Sequence, residues 1–321
     1  MAILPAPDAA RAVVLGQFVE VVYQMYESAP TNPTPPPMAL PAGYKFVAWV
    51  QMRDFLIGPL PYTFYGLIAS SPSDSNWVLA IRGTEDLTEW LDDLTSIVLT
   101  PMPNFGQVGD GFYKIYQTLR VVRPSPPGAL GVESLQPTGS FAQQVRAAIR
   151  DYSRQAESPQ IEVTGHSLGA ALATLYVADN STNSNARIPL ICTFASPRVG
   201  DEVFASMFDN LGITSWRIVN DPDLVPKLPI VGFQHVQTEY LYNSGWSTVW
   251  SLSCWHALET YLHLLDSSQP LQPQCIWPPP TATAPSRVPA AAPLLAPTER
   301  EIALPHEGRV RTRTRKEKDK V

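Results

Sequence analysis

A serine framed by two glycines is the residue of this chain best placed to act as a nucleophile. Residues 161–172 read IEVTGHSLGAAL, a β-rich run followed by a G-x-S-x-G turn and small helix-forming residues. This strand–turn–helix order is typical of a nucleophile elbow. Gly165 and Gly169 have no Cβ, so strand and helix can approach closely. We expect the Ser167 hydroxyl to stand clear of the strand, with the Leu168 N–H facing a developing oxyanion.

A serine hydroxyl needs a general base, and the base needs a carboxylate that orients it. In elbow proteins these groups follow the serine in the order Asp, then His. The carboxylate candidates are Asp201, Asp221 and Asp223. Asp223 lies deeper in the turn after a predicted strand and is our choice, whereas the proline after Asp221 favours an extended conformation. Turn formation is the alternative role for each aspartate taken singly.

Histidine is scarce enough for the base to be sought by position. The five histidines are His166, His235, His256, His263 and His306. Of these, His166 is inside the turn, His263 is mid-helix among leucines, and His306 is near the C-terminus. His235 leads into a predicted strand, where a structural hydrogen bond would explain it. His256 is predicted to open a helix after the loop at residues 244–255, so we select it as the base.

The oxyanion requires a second donor from a loop beside the serine. The run NWVLAIR at residues 76–82 is predicted to be a buried strand, because its apolar residues are nearly continuous. Gly83 and Thr84 follow it directly. Thr84 offers both its N–H and its hydroxyl as donors.

The elements that must position these groups alternate between strands and helices. Besides the elbow strand, strands are predicted at 45–51, 62–70, 76–82, 188–195, 215–220 and 239–243. Helices are predicted at 9–26, 86–94, 111–122, 141–155, 167–178, 202–211 and 256–265. This alternation indicates an α/β fold with a mostly parallel central sheet and helices on both faces. We predict one domain at 1–266 and a proline-rich, basic, disordered tail at 267–321, which has 9 Lys/Arg and 5 Asp/Glu, a net of +4.

Composition excludes several functional classes. A net charge of -6 and a pI near 5.4 argue against a general nucleic-acid partner. No apolar run reaches membrane-spanning length, and no signal peptide is recognisable, so we expect a cytoplasmic protein or one released by a signal-independent route. The three cysteines match no metal-ligand spacing; at most one disulfide can form among them, and three free thiols are the simpler interpretation. We predict no metal and no cofactor.

Five motifs, in order, make the chain resemble the class 3 lipase family of α/β-hydrolases. They are AIRGT (80–84), GHSLG (165–169), ASPRVGD (195–201), VNDPDLVPKLP (219–229) and HALETYL (256–262). The resemblance covers roughly residues 40–266. It implies an α/β-hydrolase fold with Ser167 as nucleophile, Asp223 as orienting carboxylate and His256 as base. It also implies Thr84 and Leu168 as oxyanion donors. Asp110 stands where the family usually has a histidine outside the triad.

The residues after Thr84 show the pattern of an amphipathic helix. An apolar stripe recurs at i, i+3, i+4 and i+7, formed by Leu87, Trp90, Leu91 and Leu94. The pattern alone favours an ordinary surface helix. Because family members carry their lid at this position, we predict a short helical lid that exposes its stripe when it opens. Two further sets of apolar residues are expected to line an acyl trench or to belong to the core: Val98, Leu99, Met102 and Phe105, and Trp246, Trp250 and Trp255.

The resemblance implies a triacylglycerol lipase that binds acylglycerol or another ester at a lipid–water interface. The alternatives are an esterase or feruloyl esterase acting on soluble esters, and a phospholipase. A catalytically dead, lipase-like binding module is the alternative outside enzymes. Oligomeric state is open from the sequence.

Overall fold

The structure is a computed structural model that describes residues 7–53, 61–73, 75–84, 94–124, 138–153, 159–184, 186–237 and 239–277. All of these residues belong to one compact unit, Met1–Pro280. Three residues of the predicted lid (Leu87, Trp90 and Leu91) and residues 278–321 of the predicted tail lie outside the described residues.

The described chain forms seven α-helices and ten strands. The helices are α1 (Ala9–Ser28), α2 (Asp110–Tyr116), α3 (Phe141–Tyr152), α4 (Leu168–Asn183), α5 (Glu202–Asp209), α6 (Leu252–His256) and α7 (Leu258–Leu265). The strands are β1 (Lys45–Met52), β2 (Thr63–Ser70), β3 (Asn76–Ile81), β4 (Leu99–Met102), β5 (Gly106–Gly109), β6 (Arg120–Val122), β7 (Gln160–His166), β8 (Leu190–Phe194), β9 (Thr214–Asn220) and β10 (Glu239–Tyr242).

Eight strands form one sheet in the order β10-β9-β8-β7-β3-β2-β1-β6. The strands from β10 to β3 pair in parallel, and β2, β1 and β6 extend the sheet by antiparallel pairing. The carboxyl ends of the parallel strands therefore meet at one edge, where functional groups of open α/β sheets gather. The prediction of a mostly parallel sheet is confirmed.

Each face of the sheet is covered by its own hydrophobic core. In β3, Trp77, Leu79 and Ile81 join the core that includes buried residues of α2, α3, α4 and α5. Val78 and Ala80 point to the opposite face and join the core under α1 and α7. Burial on both faces explains why β3 is apolar almost throughout.

Three local features differ from the sequence predictions. The predicted helix at 111–122 ends at Tyr116, and its last residues form the edge strand β6. The antiparallel pair β4–β5 was not predicted. Cys254 and Cys275 form a disulfide, the single bridge that three cysteines allow, and Cys192 is a free, buried thiol, so the simpler interpretation of three free thiols is wrong.

Residues beyond 266 remain packed on the domain as far as they are described. The Cys254–Cys275 disulfide holds this segment, and the Gln272 side chain donates to Glu259 at 3.0 Å. In the described part of the chain, no helix combines the length and apolar character that crossing a bilayer requires.

Candidate active site

Ser167 lies in a strained turn between β7 and α4. Its backbone has φ 58° and ψ −124°, a conformation that non-glycine residues rarely adopt and that clusters at functional sites. The Ser167 N–H donates to the Phe194 carbonyl at 3.0 Å. A Cβ at Gly165 would lie 2.4 Å from the Gly169 carbonyl oxygen, so strand and helix meet only because of glycine. Leu168 is the first residue of α4, where backbone N–H groups have no intrahelical acceptor.

His256 is placed to accept the proton of Ser167. The His256 Nε2 atom lies 2.9 Å from the Ser167 Oγ atom, and both side chains are buried. The sequence predicted that His256 opens a helix, and this detail is wrong. His256 is the last residue of α6, and α7 begins at Leu258, because Ala257 has extended backbone angles between them. The imidazole is therefore carried at a break between two short helices.

Asp223 receives three hydrogen bonds. His256 Nδ1 lies 2.8 Å from Asp223 Oδ2, and the Tyr261 hydroxyl donates to the same oxygen at 2.6 Å. The Val225 N–H donates to Asp223 Oδ1 at 3.0 Å. Burial, and then the Asp223 charge, raise the pKa of Tyr261 well above its ordinary value, so its hydroxyl remains a donor. These hydrogen bonds therefore hold the Asp223 carboxylate in an orientation that faces the His256 imidazole.

The other candidate aspartates have local structural roles. Asp201 caps α5 by accepting from the Phe204 N–H at 2.8 Å. Asp221 accepts from the exposed Asn243 side chain at 3.3 Å. Asp110, at the position that departs from the family pattern, pairs with Lys114 one turn along α2. The structure brings only Asp223 among these to His256.

His235 also lies outside the Ser167 cluster. Its Nε2 atom donates to the Pro226 carbonyl at 2.6 Å. Burial, followed by the charge of Arg217, lowers the pKa of His235 to about 3. A neutral imidazole that satisfies a carbonyl is the structural role expected for this residue.

The loop Arg82–Thr84 is held rigidly beside Ser167. The buried Arg82 guanidinium lies 3.7 Å from the ring centre of Tyr26 and 4.0 Å from that of Tyr65. It donates to the Gly83 carbonyl at 2.8 Å. Cation–π contacts and this hydrogen bond fix the path of the loop. Thr84, at the end of the loop, lines the same cavity as His256.

A chain of hydrogen bonds connects this loop to the backbone of His256. The Gly83 N–H donates to the Tyr23 hydroxyl at 2.8 Å, and Tyr23 lies 2.9 Å from His166 Nδ1. His166 Nε2 lies 2.8 Å from the His256 carbonyl oxygen, which can only accept. Burial, and then the nearby His256, lower the pKa of His166 to about 3, so the ring is neutral. Nε2 therefore carries the ring proton, and Nδ1 accepts from Tyr23.

A cavity of about 410 Å³ opens at the catalytic edge of the sheet. Thr84, His166 and His256 line it, together with Tyr23 and Glu20 from α1. Burial, and then the charge of Glu259, raise the pKa of Glu20. Within the described residues, no group of three or more His, Cys, Asp or Glu side chains is arranged to hold a metal ion.

The residues expected to line a trench or to belong to the core divide between the core and the surface. Met102 and Phe105 are buried in the core of one sheet face, and Leu94, the described member of the lid stripe, is also buried. Trp246 and Trp250 lie on the surface, 72% and 58% exposed, rather than in a trench.

Sequence reasoning missed two tyrosines that organise the site. Tyr261 lies five residues after His256, within the HALETYL motif, and this spacing was the available signal. Tyr23 belongs to α1, far from the motifs in sequence. Its hydroxyl reaches the site only because α1 packs across β3 and β7.

Comparisons with known proteins agree with this geometry. Residues 78–233 match the family model described as Lipase (class 3). Phospholipase A1-II 4 of Oryza sativa subsp. japonica is 32% identical over 207 residues, which cover 60% of this chain and 50% of that protein. A lipase of Rhizomucor miehei is 30% identical over 190 residues, covering 56% of this chain and 46% of that protein. The chain thus spans about half the length of the curated relatives it matches.

The fold is shared with solved fungal structures. The Rhizomucor miehei lipase propeptide complex superimposes with a TM-score of 0.53 at 22% sequence identity. The match covers 74% of this chain and 69% of that chain. The predicted α/β-hydrolase fold is therefore confirmed.

Proposed function

Because residues 78–233 match the class 3 lipase family, we propose that the chain hydrolyses carboxylic ester bonds of lipids through an acyl-enzyme on Ser167. The observation that supports the proposal is the continuous contact from Ser167 through His256 to Asp223. His256 Nε2 lies 2.9 Å from Ser167 Oγ, and His256 Nδ1 lies 2.8 Å from Asp223 Oδ2. A binding module would not need a buried imidazole between a strained serine and a carboxylate. The same geometry therefore speaks against the catalytically dead alternative.

Acylation begins when Ser167 Oγ attacks the ester carbonyl carbon and its proton passes to His256 Nε2. The carbonyl oxygen becomes an oxyanion, and the Leu168 N–H and the Thr84 donors stabilise it. Asp223 holds the imidazole by Nδ1–H and stabilises the positive charge that the ring acquires. His256 then donates the proton from Nε2 to the departing alkoxide, which leaves as an alcohol.

Deacylation repeats these steps with water as nucleophile. His256 Nε2 takes a proton from water, and the resulting hydroxide attacks the acyl carbon. The bond from that carbon to Ser167 Oγ breaks, and His256 returns the proton to the serine oxygen. A carboxylic acid leaves, and the resting hydrogen bonds are restored.

Two lipid substrates are proposed. The resemblance to fungal lipases favours acylglycerols, as the sequence predicted, and the similarity to the Rhizomucor miehei lipase supports this choice. Phospholipids are the second candidate, because Phospholipase A1-II 4 and other similar plant proteins bear the name phospholipase A1. If the chain is an esterase, which is the remaining alternative, its substrates are soluble esters.

Parallel turnover assays test the proposal. Fatty acid release is measured from a triacylglycerol emulsion, from phosphatidylcholine vesicles and from a soluble short-chain ester. We expect turnover of at least one dispersed lipid to exceed that of the soluble ester, with Ser167→Ala as the inactive control. Turnover of the soluble ester alone would establish the esterase, and no turnover on any substrate would refute the hydrolase.

A further inference from the structure

Exposed apolar side chains are concentrated near the catalytic edge of the sheet. Of the fourteen large hydrophobic side chains that are exposed in the described part of the chain, eight follow β9, β10 or α7. They are Leu224, Ile230, Val231, Trp246, Trp250, Leu252, Ile276 and Trp277. The loops after β9 and β10 leave the sheet at the edge where Ser167 follows β7, because these strands are parallel.

Five of these side chains form what we call the Trp surface: Trp246, Trp250, Leu252, Ile276 and Trp277. The rings of Trp246 and Trp250 lie 4.4 Å apart. A β-bridge joins Thr248 to Ile276, and the Val249 N–H donates to the Cys275 carbonyl at 3.0 Å. The disulfide between Cys254 and Cys275 fixes the two segments to each other. The Trp surface is thus a cross-linked platform, so its exposure is not that of a free chain end.

The platform is also tied directly to the catalytic histidine. Asn220 is buried at the end of β9, and its side chain donates to Ser244 Oγ at 3.1 Å and to the Trp255 carbonyl at 2.9 Å. It also accepts from the Ser244 N–H at 2.9 Å. These bonds anchor both ends of the loop that carries Trp246 and Trp250. His256 follows Trp255 directly, so whatever binds the Trp surface lies close to the entrance of the active site.

Charge indicates which partner fits this surface. Residues 243–258 and 267–277, the segments that form it, contain no Asp, Glu, Lys or Arg. A surface without charge has nothing to pair with a charged protein or with an anionic membrane. Exposed tryptophans suit the boundary between lipid chains and water, since the ring is apolar and its N–H finds a polar partner.

We propose that the Trp surface docks the protein on the surface of a zwitterionic phospholipid bilayer and presents the site around Ser167 to it. This inference rests on the proposed function. It adds a lipid-binding surface outside the predicted lid, formed by the loop before His256 and the segment after α7. Transfer of the tryptophan rings from water into the bilayer lowers the free energy, and the rigid platform loses little conformational entropy on binding.

Vesicle binding tests the proposal without turnover. The full chain carrying Ser167→Ala is sedimented with phosphatidylcholine vesicles at low and high salt. We expect binding that changes little with salt, because no charge pairing supports it. Adding Trp246→Ser and Trp250→Ser together should weaken binding by about tenfold or more, from the lost burial of two rings. A matched control is Tyr152→Ser, an exposed aromatic at the opposite edge of the sheet that contacts Trp77 near the start of β3.

A second measurement covers the case in which the double variant folds poorly. Brominated phosphatidylcholine should quench the tryptophan fluorescence of the Ser167→Ala chain, because the Trp surface enters the bilayer. Equal binding by the Trp double variant and the Tyr152→Ser control would overturn the proposal. Binding to anionic vesicles alone, lost at high salt, would also overturn it and point to the basic residues 309–316.

Measuring the oligomeric state tests the remaining alternative, in which a second copy of the chain covers the Trp surface. If the double substitution dissociates a dimer and leaves vesicle binding unchanged, the occupant of the Trp surface is a second copy of the chain. Turnover of the triacylglycerol emulsion, the phosphatidylcholine vesicles and the soluble ester by the unsubstituted protein is measured separately. The absence of turnover on all three substrates would refute the hydrolase, whereas active protein that fails to bind vesicles would refute only the docking surface.

Discussion

Replacing Tyr23 with phenylalanine removes one hydroxyl that two parts of the site share. That hydroxyl accepts from the Gly83 N–H at 2.8 Å and lies 2.9 Å from His166 Nδ1. In Tyr23→Phe both partners stay buried without their hydrogen bond. A buried polar group left unpaired costs about 1–3 kcal/mol. We therefore expect the free energy of unfolding to fall by about 2–6 kcal/mol.

The same substitution should slow turnover. Without the bond to Gly83, the loop that carries Thr84 is held less firmly, and removal of a whole oxyanion donor costs about 100- to 1,000-fold in kcat. A donor that is displaced rather than removed should cost about 10- to 100-fold. KM should change little, because the oxyanion forms only after the substrate is bound.

The assay is steady-state hydrolysis of a soluble short-chain ester at a temperature where the variant is folded. Titration with a covalent serine probe corrects for the active fraction. Tyr26→Phe is the matched control, since Tyr26 lies one turn along α1 and contacts Arg82 through its ring. If Tyr23→Phe keeps the parent kcat, or loses activity only through KM, the hydrogen-bond chain does not position the oxyanion loop.

Three further predictions concern the carboxylate, the buried histidines and the lid. Asp223→Asn should lower kcat by about 10,000-fold, because the imidazole loses its orienting partner. Asp221→Asn should have little effect on kcat. Equal losses of kcat in the two variants would contradict the assignment of Asp223. The pKa of His166 is lowered to about 3, so the unfolded chain binds a proton below pH 6.5 that the folded chain excludes. The free energy of unfolding should therefore decrease as the pH is lowered below 6.5, by roughly 1.4 kcal/mol per pH unit for His166 and similarly for His235. Denaturant titrations at pH 4–6 measure this pH dependence, and His235→Gln should make it less steep. An unchanged pH dependence in His235→Gln would refute this account. Trp90→Ala in the predicted lid should reduce hydrolysis of a long-chain emulsion more than hydrolysis of a soluble ester, and equal reductions would indicate an ordinary surface helix.

The sheet and the Ser167 turn were predictable because local sequence determines them. Strand β3 is buried on both faces and therefore reads as an apolar run. The glycines around Ser167 report a close approach of strand and helix that no other residue allows. By contrast, the residues of β6 form a strand only through their pairing with β1, and a three-residue edge strand is too short to show an alternation of apolar and polar residues.

The environment of the site depended on contacts that are distant in the sequence. Tyr23 has the spacing of an ordinary helix residue, and its role comes from the packing of α1 over the sheet. The partner of Cys254 could not be chosen from an odd number of cysteines. Trp246 and Trp250 are typical core residues by type, and only the three-dimensional arrangement shows that they face solvent. Such features follow from tertiary structure rather than from local propensity.

Covalent trapping tests the central claim most directly. The full chain and its Ser167→Ala variant are treated with a fluorophosphonate, and the modified residue is identified by peptide mass spectrometry. The account predicts stoichiometric modification of Ser167, loss of ester hydrolysis in parallel, and no modification of the variant, whose turnover should be lower by about a million-fold. Full ester hydrolysis by folded Ser167→Ala, or modification at another residue with Ser167 unmodified and activity lost, would contradict it.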